Sequence, residues 1–229
     1  MKLIVIIPAR GGSKSLPKKN ILLLKGRPLL CHSVDYSLKS KLVTTTIVST
    51  DSQEIADIAK NCGASVPFIR PDEFAQDDTR DYPVIRHALD FFEARGQIFD
   101  LYILLRPTSP MRPSGLIEKA IEILKGNTNI TSVRSMTRIK EHPYRAWKQH
   151  DDGSVSGFID NEIEPYNIPR QELPNLYFQT GDIEAIRRET IINGSVSGDC
   201  VFPLIIKHDE MIDIDNESDF NRAEQSSFV

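Results

Sequence analysis

The feature that most constrains the fold is a five-residue aliphatic run near the start of the chain, Leu3 to Ile7, which ends at Pro8. The run contains no polar residue, so it lacks the alternation of a strand with one face in water. A short run of β-branched and aliphatic residues is typical of a strand buried on both faces. Such a strand needs helices on both sides of its sheet. The run therefore predicts an α/β fold.

Segments with helical and strand-like patterns alternate along most of the chain. Apolar residues at helical spacing, with Ser52 as a candidate N-cap, predict helices over 29–40, 52–61, 79–95 and 113–126 and from Glu217 onward. Aliphatic and β-branched runs predict further strands at 44–51, 66–69, 100–105, 129–136, 200–206 and 211–215. This order indicates a mostly parallel sheet with helices on both faces.

The alternation stops between about 141 and 182. This stretch is rich in Pro, Tyr, Asp and Asn, and it contains short alternating runs such as 153–160. We interpret it as an inserted arm or hairpin, of the kind that covers a site or makes a dimer contact. The sequence therefore predicts one domain over 1–229 that carries this arm.

Charge and cysteine content exclude several classes of protein. The net charge of −4 leaves no basic excess to neutralise a nucleic-acid backbone. Cys31, Cys62 and Cys200 have no metal-ligand spacing, which favours reduced thiols in a cytoplasmic protein. Charged residues interrupt every later apolar run, and the first one is far too short to span a bilayer. We expect a soluble cytoplasmic protein.

A basic, glycine-containing loop follows the first strand. The stretch 6–20 reads IIPARGGSKSLPKKN and contains Arg10, Lys14, Lys18 and Lys19. Glycines allow backbone N–H groups to approach a phosphate closely, and Arg and Lys supply charged donors to its oxygens. The loop matches neither the Walker A nor the GxGxxG pattern. An anion-binding loop and a solvated basic loop are the two interpretations that the spacing allows.

A second candidate is MIDID, residues 211–215. In a strand, Asp213 and Asp215 would share one face at a separation of roughly 6.5–7 Å. Two such carboxylates could bind a hydrated Mg²⁺, which typically takes one or two carboxylates plus substrate phosphates. The alternative is a half-exposed edge strand with an acidic polar face.

An ordered set of motifs resembles the CMP-N-acylneuraminate (CMP-sialic acid) synthetases and their cytidylyltransferase relatives. The motifs are ARGGSKSLPKKN (9–20), VSTD (48–51), RPDEFAQDDT (70–79), PTSPMR (107–112), HP (142–143), PRQELP (169–174) and IDID (212–215). The resemblance covers nearly the whole chain. It implies a Rossmann-like nucleotidyltransferase sheet with a dimerisation arm. It also implies a Mg²⁺-dependent reaction of CTP with an acidic nine-carbon sugar, in a homodimer.

The resemblance also implies roles for individual residues. Arg10, Ser13, Lys14 and Lys19 correspond to triphosphate ligands, and Asp213 and Asp215 to the Mg²⁺ site. The nucleotide-binding set as a whole is Pro8, Ala9, Arg10, Gly12, Ser13, Lys14, Lys19, Asn20 and Arg70. The residues expected to act in catalysis are Arg10, Lys14, Lys19 and Asp215. The residues expected to bind the sugar are Arg106, Arg170 and Gln171.

The chain departs from the sialic-acid members at positions expected near the sugar and the base. Arg106 stands where glutamine is usual, and Thr180 and Glu184 stand where Asn and Tyr are common. Tyr82 occupies a place near the base that often holds a small residue. These differences leave the particular sugar and the strictness of the CTP preference open. Two alternatives remain: activation of 3-deoxy-manno-octulosonate, and a catalytically silent nucleotide-binding homologue.

Overall fold

The computed structural model describes residues 1–207 and 211–226 and has a six-stranded sheet at its centre. The sheet consists of β1 (Leu3–Pro8), β4 (Thr45–Ser49), β5 (Leu101–Leu104), β6 (Ser132–Arg138), β9 (Tyr177–Arg187) and β10 (Val201–Ile205). Their spatial order is β10-β6-β9-β5-β1-β4. Only β9 runs antiparallel to its neighbours in this sheet. The expectation of a mostly parallel α/β sheet is confirmed.

Helices cover both faces of the sheet, as the first strand requires. They are α1 (Leu29–Lys39), α2 (Gln53–Asn61), α3 (Asp81–Glu93), α4 (Leu116–Gly126), α5 (Arg188–Ile192) and α6 (Glu217–Gln225). Leu3, Val5 and Ile7 pack in one core cluster with α1, α2 and α4. Ile4 and Ile6 pack in the other with α3 and α5. The alternating side chains of β1 thus supply both cores.

The remaining strands are short. β2 (Leu23–Leu24) and β3 (Arg27–Pro28) form an antiparallel pair before α1. β7 (Trp147–Gln149) and β8 (Val155–Gly157) form a hairpin within the stretch that the sequence predicts to be an arm. Residues 177–182, at the end of that predicted range, belong to β9 and pair partly with β6.

Two predicted strands are wrong. The segment 66–69 is not a strand, and only Ser65 forms an isolated bridge, to Ile47. The segment 211–215 is also not a strand. It still alternates in burial, because Ile212 and Ile214 pack against Leu24, Leu29 and Ala223 in a small core of their own. An alternation of apolar and acidic residues indicates which side chains are buried. It does not show that the segment forms backbone hydrogen bonds to a neighbouring strand.

The expectation of three reduced thiols is also wrong. Cys31 in α1 and Cys62, just after α2, form a disulfide with a Cα–Cα separation of 5.7 Å. The two residues are 31 positions apart, and the packing of α1 on α2 brings them together. Cys200 is exposed and free. Within the described ranges, no helix is both long enough and apolar enough to cross a membrane.

Candidate active site

The candidate site is a cleft of about 350 Å³ beyond the carboxyl ends of β1 and β5. Ligands bind at this edge in open parallel sheets. The loop after β1, the segment between α2 and α3, and the residues after β5 form its walls. The predicted site residues that line the cleft are Pro8, Arg10, Gly12, Ser13, Lys14, Lys19, Asn20, Arg70 and Arg106. Ala9 is fully buried behind them, and its N–H donates to Ser49 O.

Two side chains fix the basic loop by hydrogen bonds to its backbone. Asp51, just after β4, accepts the N–H of Gly11 at 2.8 Å. The side-chain amide of Asn20 donates to the carbonyl of Arg10 at 2.9 Å. A Cβ on Gly11 would lie 3.2 Å from Cβ of Ser52, so this position favours glycine through close approach. The loop is therefore held in place at its start and at its end, and its basic side chains extend from this frame.

Arg10 and Lys14 share one carboxylate in the described structure. Arg10 Nη1 pairs with one oxygen of Asp77, and Lys14 Nζ pairs with the other. Hydrogen bonds from Lys14, and then from Arg10, lower the pKa of Asp77. Asp77 lies in the segment between α2 and α3 that forms the opposite wall of the cleft. The structure thus brings the two predicted triphosphate ligands to one anion position.

Lys19 connects the basic loop to the acidic segment near the end of the chain. Its Nζ donates to the carbonyl of Ile214 at 3.0 Å and lies 3.4 Å from an oxygen of Asp215. The N–H of Ile214 in turn donates to the carbonyl of Thr108 at 2.8 Å. Residues from three distant parts of the sequence therefore meet at this edge of the cleft.

The two predicted metal ligands lie in different surroundings. Ser109 Oγ donates to a carboxylate oxygen of Asp213 at 3.4 Å, whereas Asp215 is largely exposed beside Lys19. The described residues contain no group of three or more His, Cys, Asp or Glu side chains that could hold a metal ion. Carboxylate oxygens suit Mg²⁺, which commonly binds one or two of them and completes its shell with water and substrate phosphates. The donor set therefore fits Mg²⁺ only together with a bound nucleotide.

Arg70 is a buried cation in the wall of the cleft. Its side chain is only 3% exposed, and its Nη2 lies 3.9 Å from Asp51. Burial lowers the pKa of Arg70, and Asp51 opposes that effect. Its Nε has no hydrogen-bond partner within the described residues. A buried donor without a partner is costly, so Arg70 is suited to donate to a polar ligand in the cleft.

Arg106 is part of a buried ion-pair network. Its guanidinium pairs with Glu184 at 2.5 Å and with Asp81 at the start of α3. Glu184 is fully buried on β9 and also binds Arg134 Nη2 at 2.9 Å. Burial alone would lower the pKa of Arg106, but Glu184 and Asp81 outweigh that effect and raise it. The positive charge of Arg106, which the sequence predicts to bind the sugar, is thus already neutralised by two carboxylates of the protein.

Two buried residues near the site are not among the sequence-predicted ligands. Arg112 donates to the carbonyl of Asp182 at 2.5 Å, to Ser33 Oγ at 2.9 Å and to the carbonyl of Arg106. Burial lowers its pKa to about 10. Burial also raises the pKa of Asp182, whose carboxylate oxygens have no partner of normal hydrogen-bond geometry in the described part of the chain. Through these hydrogen bonds, Arg112 links the segment after β5 to both β9 and α1.

Sequence signals for these two residues were weak. Arg112 ends the motif PTSPMR, and Asp182 lies between Thr180 and Glu184, which both depart from the family pattern. Neither position indicates burial by its spacing. The available signal was that the acidic residues Asp182 and Glu184 alternate with the apolar residues Ile183 and Ala185.

The structure does not bring Arg170 to the cleft. Arg170 lines a separate cavity of about 730 Å³ between the end of β6 and the predicted arm, together with Arg138, Lys140, His142 and Arg145. The two cavities have no lining residue in common. Gln171 is exposed and lines neither of them. Within one chain, the two arm residues predicted to bind the sugar thus lie apart from the predicted triphosphate ligands.

The fold and the cleft define a class of protein. An open, mostly parallel sheet, a basic loop after its first strand and carboxylates across the same edge are the parts of an enzyme that handles a nucleotide triphosphate. A family model described as "Cytidylyltransferase" matches residues 4–197. The chain belongs to the cytidylyltransferase family, whose members are nucleotidyltransferases.

Individual relatives extend over most of the chain. A CMP-N,N'-diacetyllegionaminic acid synthase from Legionella pneumophila is 35% identical, over 98% of this chain and 96% of its own length. An N-acylneuraminate cytidylyltransferase from Escherichia coli is 32% identical over 97% of this chain, which spans about half (51%) of that longer protein. A CMP:2-keto-3-deoxy-manno-octonic acid synthetase, solved with CTP, shares the fold with a TM-score of 0.72 at 18% identity. That alignment covers 98% of this chain and 97% of the solved one.

Removing the charge of Glu184 should destabilise the fold. We expect Glu184→Gln to lower the free energy of unfolding by about 3 kcal/mol, because Arg106 and Arg134 would lose their shared buried partner. Urea denaturation measures this change. Asp160→Asn, which breaks an exposed pair with Lys148, is the matched control and should cost under about 1 kcal/mol. Equal effects of the two changes would contradict a structural role for the network.

Proposed function

We propose that this protein transfers the cytidylyl group of CTP to a sialic-acid-like nonulosonic acid and releases pyrophosphate. The observation that carries the proposal is the placement of Arg10, Lys14 and Lys19 around one cleft, in a chain that matches a legionaminic acid synthase over nearly its full length. The relatives named above for legionaminic and neuraminic acids act on sugars of this class. The cytoplasm, where CTP is made, is the proposed location.

The proposed reaction needs positioned charge more than a covalent protein nucleophile. The anomeric hydroxyl oxygen of the sugar attacks the α-phosphorus of CTP. The bond from that phosphorus to the bridging oxygen of the β-phosphate breaks, its electron pair stays with the leaving pyrophosphate, and the hydroxyl proton passes to solvent water. Arg10, Lys14 and Lys19 would bind the triphosphate and stabilise the charge on the leaving pyrophosphate.

Mg²⁺ is the proposed cofactor, with Asp213 and Asp215 as its protein ligands. Once bound beside the triphosphate, such an ion would neutralise phosphate charge. Lys19 supports this arrangement, because it holds the backbone of the acidic segment at Ile214 and places Asp215 next to the basic loop. The hydroxyl of Ser109 donates to Asp213 at 3.4 Å.

The buried wall of the cleft is the proposed site for the base and ribose. Arg70 supports this role through its unpartnered Nε. Asn20 and the backbone of 8–10 form the adjoining wall, and Asn20 already fixes the carbonyl of Arg10. Gly12 and Ser13 would then lie along the phosphate chain.

The sugar would contact Arg106 in the cleft and Arg170 and Gln171 in the arm. An arginine can pair with a carboxylate through two parallel hydrogen bonds, which suits an α-keto acid sugar. Because Arg170 lies in the arm cavity, its contact with a sugar in the cleft requires a second copy of the chain or a movement of the arm. The first of these agrees with the proposed homodimer.

Exposed apolar side chains on the arm support that homodimer. Trp147, Val155, Phe158 and Ile163 are exposed within it. Exposed apolar patches of this kind commonly mark interaction surfaces. Sedimentation equilibrium should give a mass of two chains, and a single-chain mass would remove the homodimer from the proposal.

Pyrophosphate release should depend on CTP and on one nine-carbon acid. We expect turnover when CTP and Mg²⁺ are combined with a nonulosonic acid, and little with UTP, GTP or ATP. A panel of legionaminic, pseudaminic, N-acetylneuraminic and 3-deoxy-manno-octulosonic acids measures the sugar preference. Turnover with the octulosonate alone would favour the alternative substrate. CTP binding without turnover on any sugar would favour a silent homologue.

Asp215→Asn should remove most of the turnover without unfolding the protein. We expect kcat to fall by more than about tenfold, because a neutral amide is a poor ligand for Mg²⁺. Pyrophosphate release over a range of Mg²⁺ concentrations is the measurement. Asp57→Asn, on the exposed face of α2, is the matched control and should retain activity. Near-native rates of Asp215→Asn at saturating Mg²⁺ would remove this residue from the metal site.

Arg170→Ala should weaken sugar use selectively. We expect KM for the sugar to rise by about tenfold or more and KM for CTP to change by less than about twofold, because a charge-assisted contact to one substrate is lost. Steady-state kinetics with each substrate varied in turn measures both constants. Arg95→Ala, two residues beyond the end of α3 and outside the lining of both cavities, is the control. Equal changes in the two KM values would place Arg170 outside the sugar site.

A further inference from the structure

The position of Asp77 suggests that the phosphate site is regulated from within the chain. One oxygen of its carboxylate pairs with Arg10 and the other with Lys14. Two anionic oxygens on one central atom, each bound to a different cation, reproduce part of the contact that a phosphate would make. Asp77 therefore lies where a phosphate group of the substrate would need to bind.

Among the described residues, the ion-pair partners of Asp77 are Arg10 and Lys14. Arg70 and Lys19 line the same cleft, but each has another acidic neighbour: Asp51 for Arg70 and Asp215 for Lys19. Asp78, the next residue, has no ion pair or hydrogen bond in the described structure and is exposed. Asp77 is thus the carboxylate that neutralises Arg10 and Lys14.

We propose that Asp77 is an internal competitor for phosphate, which occupies the anion position of Arg10 and Lys14 until a nucleotide displaces it. The inference rests on the proposed function, because it takes Arg10 and Lys14 as phosphate ligands. It adds that the free enzyme keeps these cations paired. It also adds that the carboxylate returns to them when pyrophosphate leaves.

The local structure allows this displacement. Asp77 is 43% exposed and Lys14 is 81% exposed, so both ion pairs lie in contact with water and are individually weak. In the described part of the chain, the hydrogen bonds of the 75–79 segment are local, such as Ala75 N to Asp72 O and Thr79 N to Gln76 O. Displacement would break two side-chain contacts of Asp77 and no backbone bond to the sheet.

The segment is held again at its far end, where α3 begins. Asp81 pairs with Arg106, whose other partner is the buried Glu184. This second pair lies next to a buried network, so it fixes the start of α3. We therefore expect the movement to be confined to the residues around Asp77, with α3 remaining in place.

The proposal predicts a specific pattern of affinities. When only a fraction of the enzyme is open, the apparent Kd of every ligand that needs the open form increases by the same factor. Pyrophosphate and CTP both need Arg10 and Lys14, so both should bind more tightly once Asp77 is neutral. Cytidine has no phosphate, and its affinity should not change.

The test compares Asp77→Asn with Asp78→Asn, which removes the same charge from the neighbouring position. Isothermal titration with pyrophosphate, CTP and cytidine, in the presence of EDTA, measures binding without metal or turnover. We expect Asp77→Asn to bind pyrophosphate and CTP about threefold to tenfold more tightly, as the loss of two exposed ion pairs would give. Cytidine should bind equally to all forms, and Asp78→Asn should behave as the wild type.

Separate outcomes distinguish this inference from the proposed function. If Lys14→Ala leaves pyrophosphate and CTP binding unchanged, the proposed phosphate site is wrong and the inference falls with it. If Lys14→Ala weakens binding but Asp77→Asn does not tighten it, only the competitor role is overturned. Equal tightening by Asp78→Asn, or no measurable pyrophosphate binding to either wild type or Asp77→Asn, would also overturn it. Thermal unfolding of each variant confirms that it is folded.

Discussion

The burial of β1 on both faces is the constraint on which the rest of the structure depends. Its side chains supply two separate cores, so helices must cover both sides of the sheet. Its neighbours β4 and β5 run parallel to it, and all three therefore end at the same edge. Three segments meet at this edge because each follows one of these parallel strands: the basic loop, Asp51 and the segment that begins at Arg106.

Charge balance is the second organising feature. Each of five basic side chains in the described part of the cleft has an acidic neighbour. Asp77 pairs with Arg10 and Lys14, and Asp215 pairs with Lys19. Asp51 lies next to Arg70, and Glu184 and Asp81 pair with Arg106. The exposed pairs can exchange partners at little cost, whereas the buried ones cannot. The cleft therefore combines a fixed part around Arg106 with an exchangeable part around Asp77.

Much of the fold followed from short-range patterns, and the errors have physical causes. Helical spacing and Ser52 located α2, and the aliphatic run located β1, because local burial and capping decide those elements. The segment 211–215 was misassigned because Ile212 and Ile214 are buried against α1 and α6 without pairing to a strand. The motifs located the basic loop of the candidate site. They could not show that Arg112 is buried or that Arg170 lies in a second cavity.

The sequence by itself determined the α/β class, the basic loop after β1 and membership of the cytidylyltransferase family, because these depend on residue order and local pattern. Only the tertiary structure decided which charges are paired. Asp77 meets Arg10 across 67 positions, and Glu184 meets Arg106 across 78. Electrostatic energy depends on distance and burial, which neighbouring residues in the sequence do not specify. The partners of each charge were therefore set by the packing of the sheet and its helices.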